Sequence, residues 1–222
     1  MIKEFASLIP PSLLDVSGSV FYSGRNAFRG TRPLYMLGVN PGGSPDTQAH
    51  ETVAWHTKKV LEREPDDWSA YRDESWKGAA PGRGGMQPRV LHLLRRVGLL
   101  PGGVPASNIV FARSRRENQF LGSLLSMAEV CWPFHHAVIQ RLEPRVVLCF
   151  GGTAGEYVRR QLGANKLIRE FVEKNNRQWR SRLFRNSAGT AVVVATHPSI
   201  ANWAAPDTDP SELVEEALAY DA

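Results

Sequence analysis

Three polar side chains in this sequence lie where they can act on a ligand. Asn40 is in "LYMLGVNPGG" at 34–43, where a short apolar run ends in Asn-Pro-Gly-Gly. Pro41 biases Asn40 towards an extended backbone, and the glycines that follow permit a close approach of backbone to a ligand. Taken alone, this sequence is more typical of a turn. Asn108 in "PASNIVFA" at 105–112 and His197 in "THPS" at 196–199 are the other two.

The chemistry of these side chains is that of amides and an imidazole. An asparagine carbonyl is too weak a base to take a proton, but it can accept a hydrogen bond from water and aim that water at a reacting carbon. An imidazole can donate a hydrogen bond to an oxygen that gains negative charge. No convincing pair of acids follows the predicted strands, so the two-carboxylate pattern of sugar glycosidases is not indicated.

Metal and cofactor chemistry is not indicated by the sequence. In "HETVAWH" at 50–56 the two histidines are six residues apart, which places them on different faces of a helix, so this is not the zinc helix motif. Cys131 and Cys149 are too few for a disulfide framework or a thiolate cluster, and we interpret both as reduced core residues. We therefore expect no metal and no cofactor.

The elements that must position these side chains alternate between strands and helices. Continuous apolar runs predict four strands buried on both faces, at Leu34 to Val39, Asn108 to Ala112, Arg145 to Phe150 and Thr190 to Thr196. The alternation predicts one α/β domain over 1–222, with a central, mostly parallel four-stranded sheet flanked by helices. In such sheets ligands bind at the carboxyl ends of the strands. A loop-rich insertion is expected at about 45–85.

Helical patterns lie between and after these strands. Apolar residues at three- and four-residue spacing predict a helix over 87–100, with Gly98 as its terminator. A second pattern covers 127–142, and its Pro133 is expected to start or kink the helix. A third helix opens at 151–162, directly after the third strand. The last helix is expected to begin with Ser211 as its N-cap.

In their order along this frame, the motifs resemble those of the uracil-DNA glycosylase superfamily. "GVNPG" at 38–42 resembles the first motif of the mismatch-specific and single-strand-selective branches, and "HPS" at 197–199 resembles the start of the second motif. "PASNIVFA" is similar to the middle strand whose asparagine reads the edge of uracil. "CWPFHHAVIQRLEPRVVLCFGGTAGEYV" is similar to the stretch before the second motif. The resemblance extends from about 34 to 200.

The resemblance implies an N-glycosidase that removes uracil or a related deaminated base from DNA after flipping it out of the duplex. Asn40 would position water, His197 would stabilise the leaving base, and Asn108 would read its edge. Trp76 is the first choice for the aromatic that stacks on the base, and Tyr71 is the reserve. The full set of expected substrate-binding residues is Gly38, Val39, Pro41, Gly42, Trp76, Tyr71, Asn108 and Ser199. Without the resemblance, the residue types of His197 and Asn108 are also consistent with structural roles. Trp76 and Tyr71 are also consistent with side chains that pack in the core.

The charge of the chain favours an anionic partner. Its net charge is +5, and 21 of its 27 basic residues are arginine, the side chain best suited to phosphate, although biased codon usage explains the same composition. We expect two arginine clusters to contact DNA phosphates, although runs of charge are also typical of surfaces that face only solvent. We also expect a side chain just beyond the second motif to act as a wedge that fills the emptied position in the base stack. These DNA-binding residues are Arg113, Arg115, Arg116, Arg177, Arg180, Arg182, Ile200 and Trp203.

The sequence also departs from the family pattern. The second motif continues as "IANW" instead of a further proline and a basic or leucine wedge, the four cysteines of the iron-sulfur branches are absent, and Asn40 replaces the aspartate of the fastest branch. One alternative is therefore a nucleic-acid-binding member that does not cut. Another is a nucleotide site at the Gly-rich turn "GGTAGEY". No stretch has the length or apolarity of a membrane span or a signal peptide, so we expect a cytoplasmic monomer.

Overall fold

The computed structural model describes residues 1–115 and 124–220. Within these parts, six strands form one sheet in the order β2-β1-β3-β6-β5-β4. The strands are β1 Leu34–Gly38, β2 Ala106–Asn108, β3 Val146–Phe150, β4 Lys166–Val172, β5 Arg180–Arg185 and β6 Ala191–Ala195. Strands β2, β1, β3 and β6 pair in parallel, and β5 and β4 add an antiparallel hairpin at one edge. The α/β class and the mostly parallel sheet are confirmed.

The number of strands differs from the prediction, because the sheet has six strands and not four. The two strands that the sequence did not reveal are β4 and β5. Most of β4 is exposed, and exposed and buried residues alternate along the first half of β5. Neither therefore contains the continuous apolar run that marks a strand buried on both faces.

Seven α-helices accompany the sheet in the described parts of the chain. They are α1 Ile2–Ala6, α2 Val53–Glu62, α3 Ala70–Asp73, α4 Gln87–Arg96, α5 Leu124–Leu142, α6 Gly152–Gln161 and α7 Ser211–Ala219. The predicted insertion at about 45–85 contains α2 and α3, so it is partly helical. Gly98 has a φ of +70° shortly after α4, which confirms it as a terminator.

Two details of the helices correct the predictions. Helix α5 starts before the predicted position and continues through Pro133 as one helix. Ser211 is the first residue of α7 and not its N-cap, which is Pro210. The carboxylate of Asp209 instead accepts a hydrogen bond from the Ser211 backbone N–H at 2.9 Å. That carboxylate satisfies a donor that the first turn of a helix leaves free.

Apolar side chains cover both faces of the sheet. On β1, Tyr35 and Leu37 pack into one core cluster, and Leu34 and Met36 pack into the other. The first cluster includes side chains of α1, α2, α5 and α6, and the second includes side chains of α4 and α7. This burial on both faces explains why β1, β3 and β6 read as continuous apolar runs.

Strand β2 is three residues long and ends at Asn108. The sequence instead predicted a strand that begins at Asn108. Beyond Asn108 the chain continues beside the end of β1, because the backbone N–H groups of Ile109 and Val110 donate to Gly38 and Val39 at 2.9 Å. The carboxyl ends of β1, β2, β3 and β6 therefore lie at one edge of the sheet. The segment that joins β4 to β5 lies at the same edge, because Arg182 of β5 pairs with Val194 near the end of β6.

Candidate active site

Asn108 and Gly38 are paired residues at the ends of neighbouring strands. A Cβ atom added to Gly38 would lie only 2.2 Å from Asn108 Oδ1. The asparagine side chain therefore occupies the space that any other residue at position 38 would fill. This close packing is the physical reason for glycine at this position, and it holds the largely buried amide at the carboxyl edge of the sheet.

The side-chain amide of Asn40 has a defined orientation. Its Nδ2 donates to the Pro41 carbonyl oxygen at 2.8 Å and lies 3.2 Å from Ser114 Oγ. A carbonyl oxygen only accepts hydrogen bonds, so the NH₂ group must face Pro41 and the Oδ1 atom must face the other way. The side chain thus presents an acceptor, which is the group needed to hold a water molecule.

Arg113 holds the Asn-Pro-Gly-Gly loop from within the protein. Its guanidinium donates to the Gly42 carbonyl at 2.6 Å, to Glu51 at 2.8 Å and to Ser17 Oγ at 3.2 Å. Only 9% of the side chain is exposed. The expected phosphate contact by Arg113 is not supported by this arrangement, because each of its three guanidinium nitrogens already donates to a group of the protein and its side chain is covered. Arg113 instead fixes the backbone next to Asn40.

His197 follows β6 and lies close to the end of β3. Its Nδ1 accepts from the Ser199 backbone N–H at 3.1 Å and lies 2.8 Å from the Ser199 hydroxyl. A backbone N–H can only donate, so in the neutral ring the proton lies on Nε2. Ser199 therefore sets the tautomer that can donate a hydrogen bond through Nε2.

The imidazole of His197 packs between two groups at the end of β3. Its ring lies edge-on to Phe150 with centroids 6.4 Å apart. A Cβ atom at Gly151 would be 3.5 Å from His197 Cβ, and Gly151 has a φ of +90° that other residues rarely adopt. The distance of 3.5 Å is an ordinary contact, so the backbone conformation explains glycine at the start of this turn, without a bound nucleotide phosphate.

A chain of aromatic rings extends from His197 towards the insertion. Tyr71 is buried and lies edge-on to both Phe150, at 6.3 Å, and Trp76, at 5.5 Å. Trp76 is half-buried, and its Nε1 donates to Glu74 at 2.9 Å. Part of the Trp76 side chain therefore remains exposed, and the ring of Tyr71 packs against it.

Sequence reasoning missed two residues next to these groups. Tyr22 accepts a hydrogen bond from Ser19 Oγ at 3.0 Å, and burial raises its pKa while the neighbouring Asn108 amide lowers it. His56 of α2 packs against Tyr22, and burial lowers the pKa of its imidazole to about 4. Tyr22 lies in irregular sequence before β1, where no pattern marks it. His56 belongs to "HETVAWH", which is not a zinc motif and does not reveal the contact with Tyr22.

The remaining predicted arginines lie on the surface and make ion pairs. Arg115 is exposed, donates to Ser44 Oγ at 2.7 Å and lies 3.5 Å from Asp46. Arg180 and Arg182 both pair with Glu170 across the β4–β5 hairpin. Arg116 lies outside the described residues. The arginine-rich stretch is therefore partly neutralised by acidic partners within the protein.

The two candidates for the wedge have opposite placements. Ile200 is 53% exposed just after His197. Trp203 is fully buried, stacks edge-on to Phe150 at 5.4 Å, and donates from Nε1 to the Thr196 carbonyl at 2.9 Å. The expectation that Trp203 enters DNA is therefore corrected, because its ring belongs to the core. Ile200 remains the candidate.

Metal-binding groups, membrane spans and cysteines were the other features of interest in the described residues. Within residues 1–115 and 124–220, no group of three or more His, Cys, Asp and Glu side chains is arranged to hold a metal ion. No helix in those parts is long and apolar enough to cross a membrane. Both cysteines are buried and unpaired, and burial raises the pKa of Cys131 to about 11.

A comparison with protein families identifies the superfamily of this chain. The model of the uracil DNA glycosylase superfamily matches residues 33–220. The chain belongs to this superfamily. The match covers every strand of the sheet and the residues Asn40, Asn108 and His197. Membership indicates a hydrolase of the DNA glycosylase type that acts on DNA in repair. Among curated proteins, none matches this chain.

Proposed function

We propose that this protein is a monofunctional DNA glycosylase that hydrolyses the N-glycosidic bond of uracil or a related deaminated base. The observation that supports this most directly is the orientation of Asn40, whose NH₂ group faces the Pro41 carbonyl and whose Oδ1 remains an acceptor. An acceptor of this kind suits the positioning of water. We also propose that the protein acts as a cytoplasmic monomer without a metal or cofactor.

In the proposed reaction the bond between uracil N1 and deoxyribose C1′ breaks, and its electron pair leaves with the base. The sugar becomes cation-like, and the negative charge of the base spreads onto its O2 atom. His197, with its proton on Nε2, donates a hydrogen bond to this oxygen. A donor already in place needs no reorganisation as the charge develops, so it lowers the barrier directly.

Water completes the reaction at C1′. Asn40 Oδ1 accepts a hydrogen bond from the water and aims its oxygen at the carbon, which costs less entropy than capture from solvent. The water oxygen bonds to C1′, and its proton passes to solvent. A carbon that already carries positive charge needs little help from a base, which is consistent with an amide in this position.

Recognition of the base is assigned to Asn108 and Trp76. The Asn108 amide can donate to O4 and accept from N3–H, and this pair of hydrogen bonds fits uracil and not cytosine. Trp76 would stack on the face of the flipped base. Ile200 would fill the space that the base leaves in the stack.

The test is an excision assay on single- and double-stranded oligonucleotides that carry uracil, hypoxanthine or xanthine, followed by alkaline cleavage at abasic sites. We expect Asn40→Ala and His197→Ala each to reduce excision by roughly 10²- to 10³-fold, the usual effect of removing one positioned group. Asn165→Ala and His136→Ala remove exposed residues of the same types and serve as matched controls.

The assay also separates the competing function. A protein that binds DNA in a salt-dependent way but produces no abasic site from any of the three lesions would be a binding protein with the same fold. Full activity of both Asn40→Ala and His197→Ala, with unchanged thermal unfolding, would show that the site is assigned to the wrong residues.

A further inference from the structure

The segment that joins β4 to β5 contains an exposed aromatic ring that the proposed reaction does not use. We define the hairpin tip as residues 173–179. In it Trp179 is 37% exposed, and the Arg177 guanidinium lies over its ring at 4.1 Å from the centroid. An exposed tryptophan ring offers a large aromatic surface that a ligand can cover.

The hairpin tip is continuous with the surface around His197. Arg177 also donates to the Ile200 carbonyl at 2.8 Å, and the Ile200 backbone N–H donates to the His197 carbonyl at 3.0 Å. Two exposed apolar side chains, Trp179 and Ile200, are thus linked through one arginine. Both lie close to His197, the residue that we propose contacts the leaving base.

Internal hydrogen bonds hold the hairpin tip in a defined conformation. The buried Glu173 carboxylate accepts from Asn175 at 2.9 Å and from Arg177 at 3.1 Å. The Asn175 side chain accepts from the Arg177 backbone N–H at 2.9 Å, and the Lys174 backbone N–H donates to the Asp207 carbonyl at 2.9 Å. The ring of Trp179 is therefore presented on an ordered support, so less entropy is lost when it binds a ligand.

The charges of the hairpin favour a nucleic acid over a protein or lipid partner. Lys174, Arg177, Arg180 and Arg182 lie in or near the hairpin tip, and the acidic residues there are Glu170 and Glu173. However, Glu170 already pairs with Arg180 and Arg182, so phosphate attraction at this surface is modest. An aromatic face inside a weakly cationic surface is the arrangement that binds single strands by base stacking.

We propose that Trp179 is a stacking platform for an unpaired base of the DNA strand next to the flipped nucleotide. The assignment rests on the proposed function, because it takes the DNA strand at His197 as the substrate. It makes single-stranded or locally opened DNA the favoured form of that substrate. Ile200 then separates the emptied position from the base that stacks on Trp179.

The test measures binding and excision separately on the full chain. Fluorescence anisotropy follows the binding of labelled oligonucleotides without a lesion, single-stranded and fully paired, at several salt concentrations. Trp179→Ala should weaken single-strand binding by about 5- to 100-fold and leave the salt dependence unchanged, because stacking carries no net charge. Trp179→Phe should restore most of the affinity. Leu167→Ala is the matched control, since Leu167 is 51% exposed at the opposite end of the same hairpin.

The outcomes distinguish this inference from the proposed function. Three results would overturn the stacking platform. Trp179→Ala could bind single strands as tightly as the parent protein, the parent could fail to bind single strands, or the variant could lose the same affinity for paired and unpaired DNA. If the parent excises no base and Trp179→Ala still weakens single-strand binding selectively, the platform is supported and the excision activity is refuted.

Discussion

Replacing Gly38 by alanine tests whether Asn108 reads the base. The new Cβ atom would lie 2.2 Å from Asn108 Oδ1, whereas ordinary contacts lie at 3.4 Å or more. The colliding atom is the end of a side chain, so the amide can rotate away and the backbone can stay in place. The change is therefore directed at the orientation of one functional group.

The expected magnitude follows from this distance. The Oδ1 atom must move by about 1.2 Å to restore a normal contact. A displacement of about 1 Å in a positioning group costs roughly 10²-fold in rate, equivalent to about 2.7 kcal/mol of transition-state stabilisation. Alanine in a strand recovers about 0.5–1 kcal/mol of backbone entropy relative to glycine, which offsets part of the crowding, so thermal unfolding should change little.

The assay is single-turnover excision from a uracil-containing oligonucleotide, with kcat/KM measured for Gly38→Ala, Asn108→Ala and the double variant. Truncation of Asn108 removes the colliding atom, so Gly38→Ala should add little to the loss in the double variant. Gly103→Ala is the control, because a Cβ atom at Gly103 meets nothing within 4 Å.

Two results would contradict this reasoning. A folded Gly38→Ala protein with parental activity would mean that the amide of Asn108 does not contact the base. Losses that multiply in the double variant would mean that Gly38 acts through another group, such as the backbone that leads to Asn40.

Two further predictions concern the loop and the buried histidines. Arg113→Met removes the hydrogen bonds to the Gly42 carbonyl and Glu51, so kcat should fall about tenfold with little change in KM; a KM effect with unchanged kcat would instead indicate a DNA contact. Burial lowers the pKa of His56 to about 4 and of His135 to about 3, below the unfolded value of 6.5. The unfolded chain therefore binds more protons between about pH 4 and 6.5, and the free energy of unfolding should fall as pH decreases through this range, by up to about 1.4 kcal/mol per pH unit for each histidine. Urea unfolding at several pH values measures this slope, and a flat profile would contradict it.

Much of the frame could be predicted because its signals are local. Continuous apolar runs marked β1, β3 and β6, since helices pack on both faces of the sheet and bury each of these strands. Gly98 marked the end of α4 through its own backbone conformation. The order of Asn40 and His197 along an alternating chain was enough to predict one shared edge for these two residues, since parallel strands place their carboxyl ends together. Asn108 was expected at the start of its strand and lies at the end.

Other features depend on contacts between distant residues, and no local pattern reports them. Strands β4 and β5 are stabilised by pairing with each other and with β6, and their charged residues form ion pairs such as Glu170 with Arg182. The direction in which an arginine side chain points depends on the hydrogen-bond acceptors around it. One acceptor of Arg113 is the Gly42 carbonyl, which is 71 residues away along the chain, so no local pattern indicates it. Trp203 is buried because Phe150 lies beside it.

The sequence by itself determined the types of functional group and, for Asn40 and His197, the strand ends at which they lie. Only the tertiary structure decided how those groups are oriented: the Pro41 carbonyl and Ser114 turn the Asn40 amide, and Ser199 sets the tautomer of His197. The physical reason is that residue type specifies what a side chain can donate or accept, whereas orientation is set by the neighbours that take the remaining donors and acceptors.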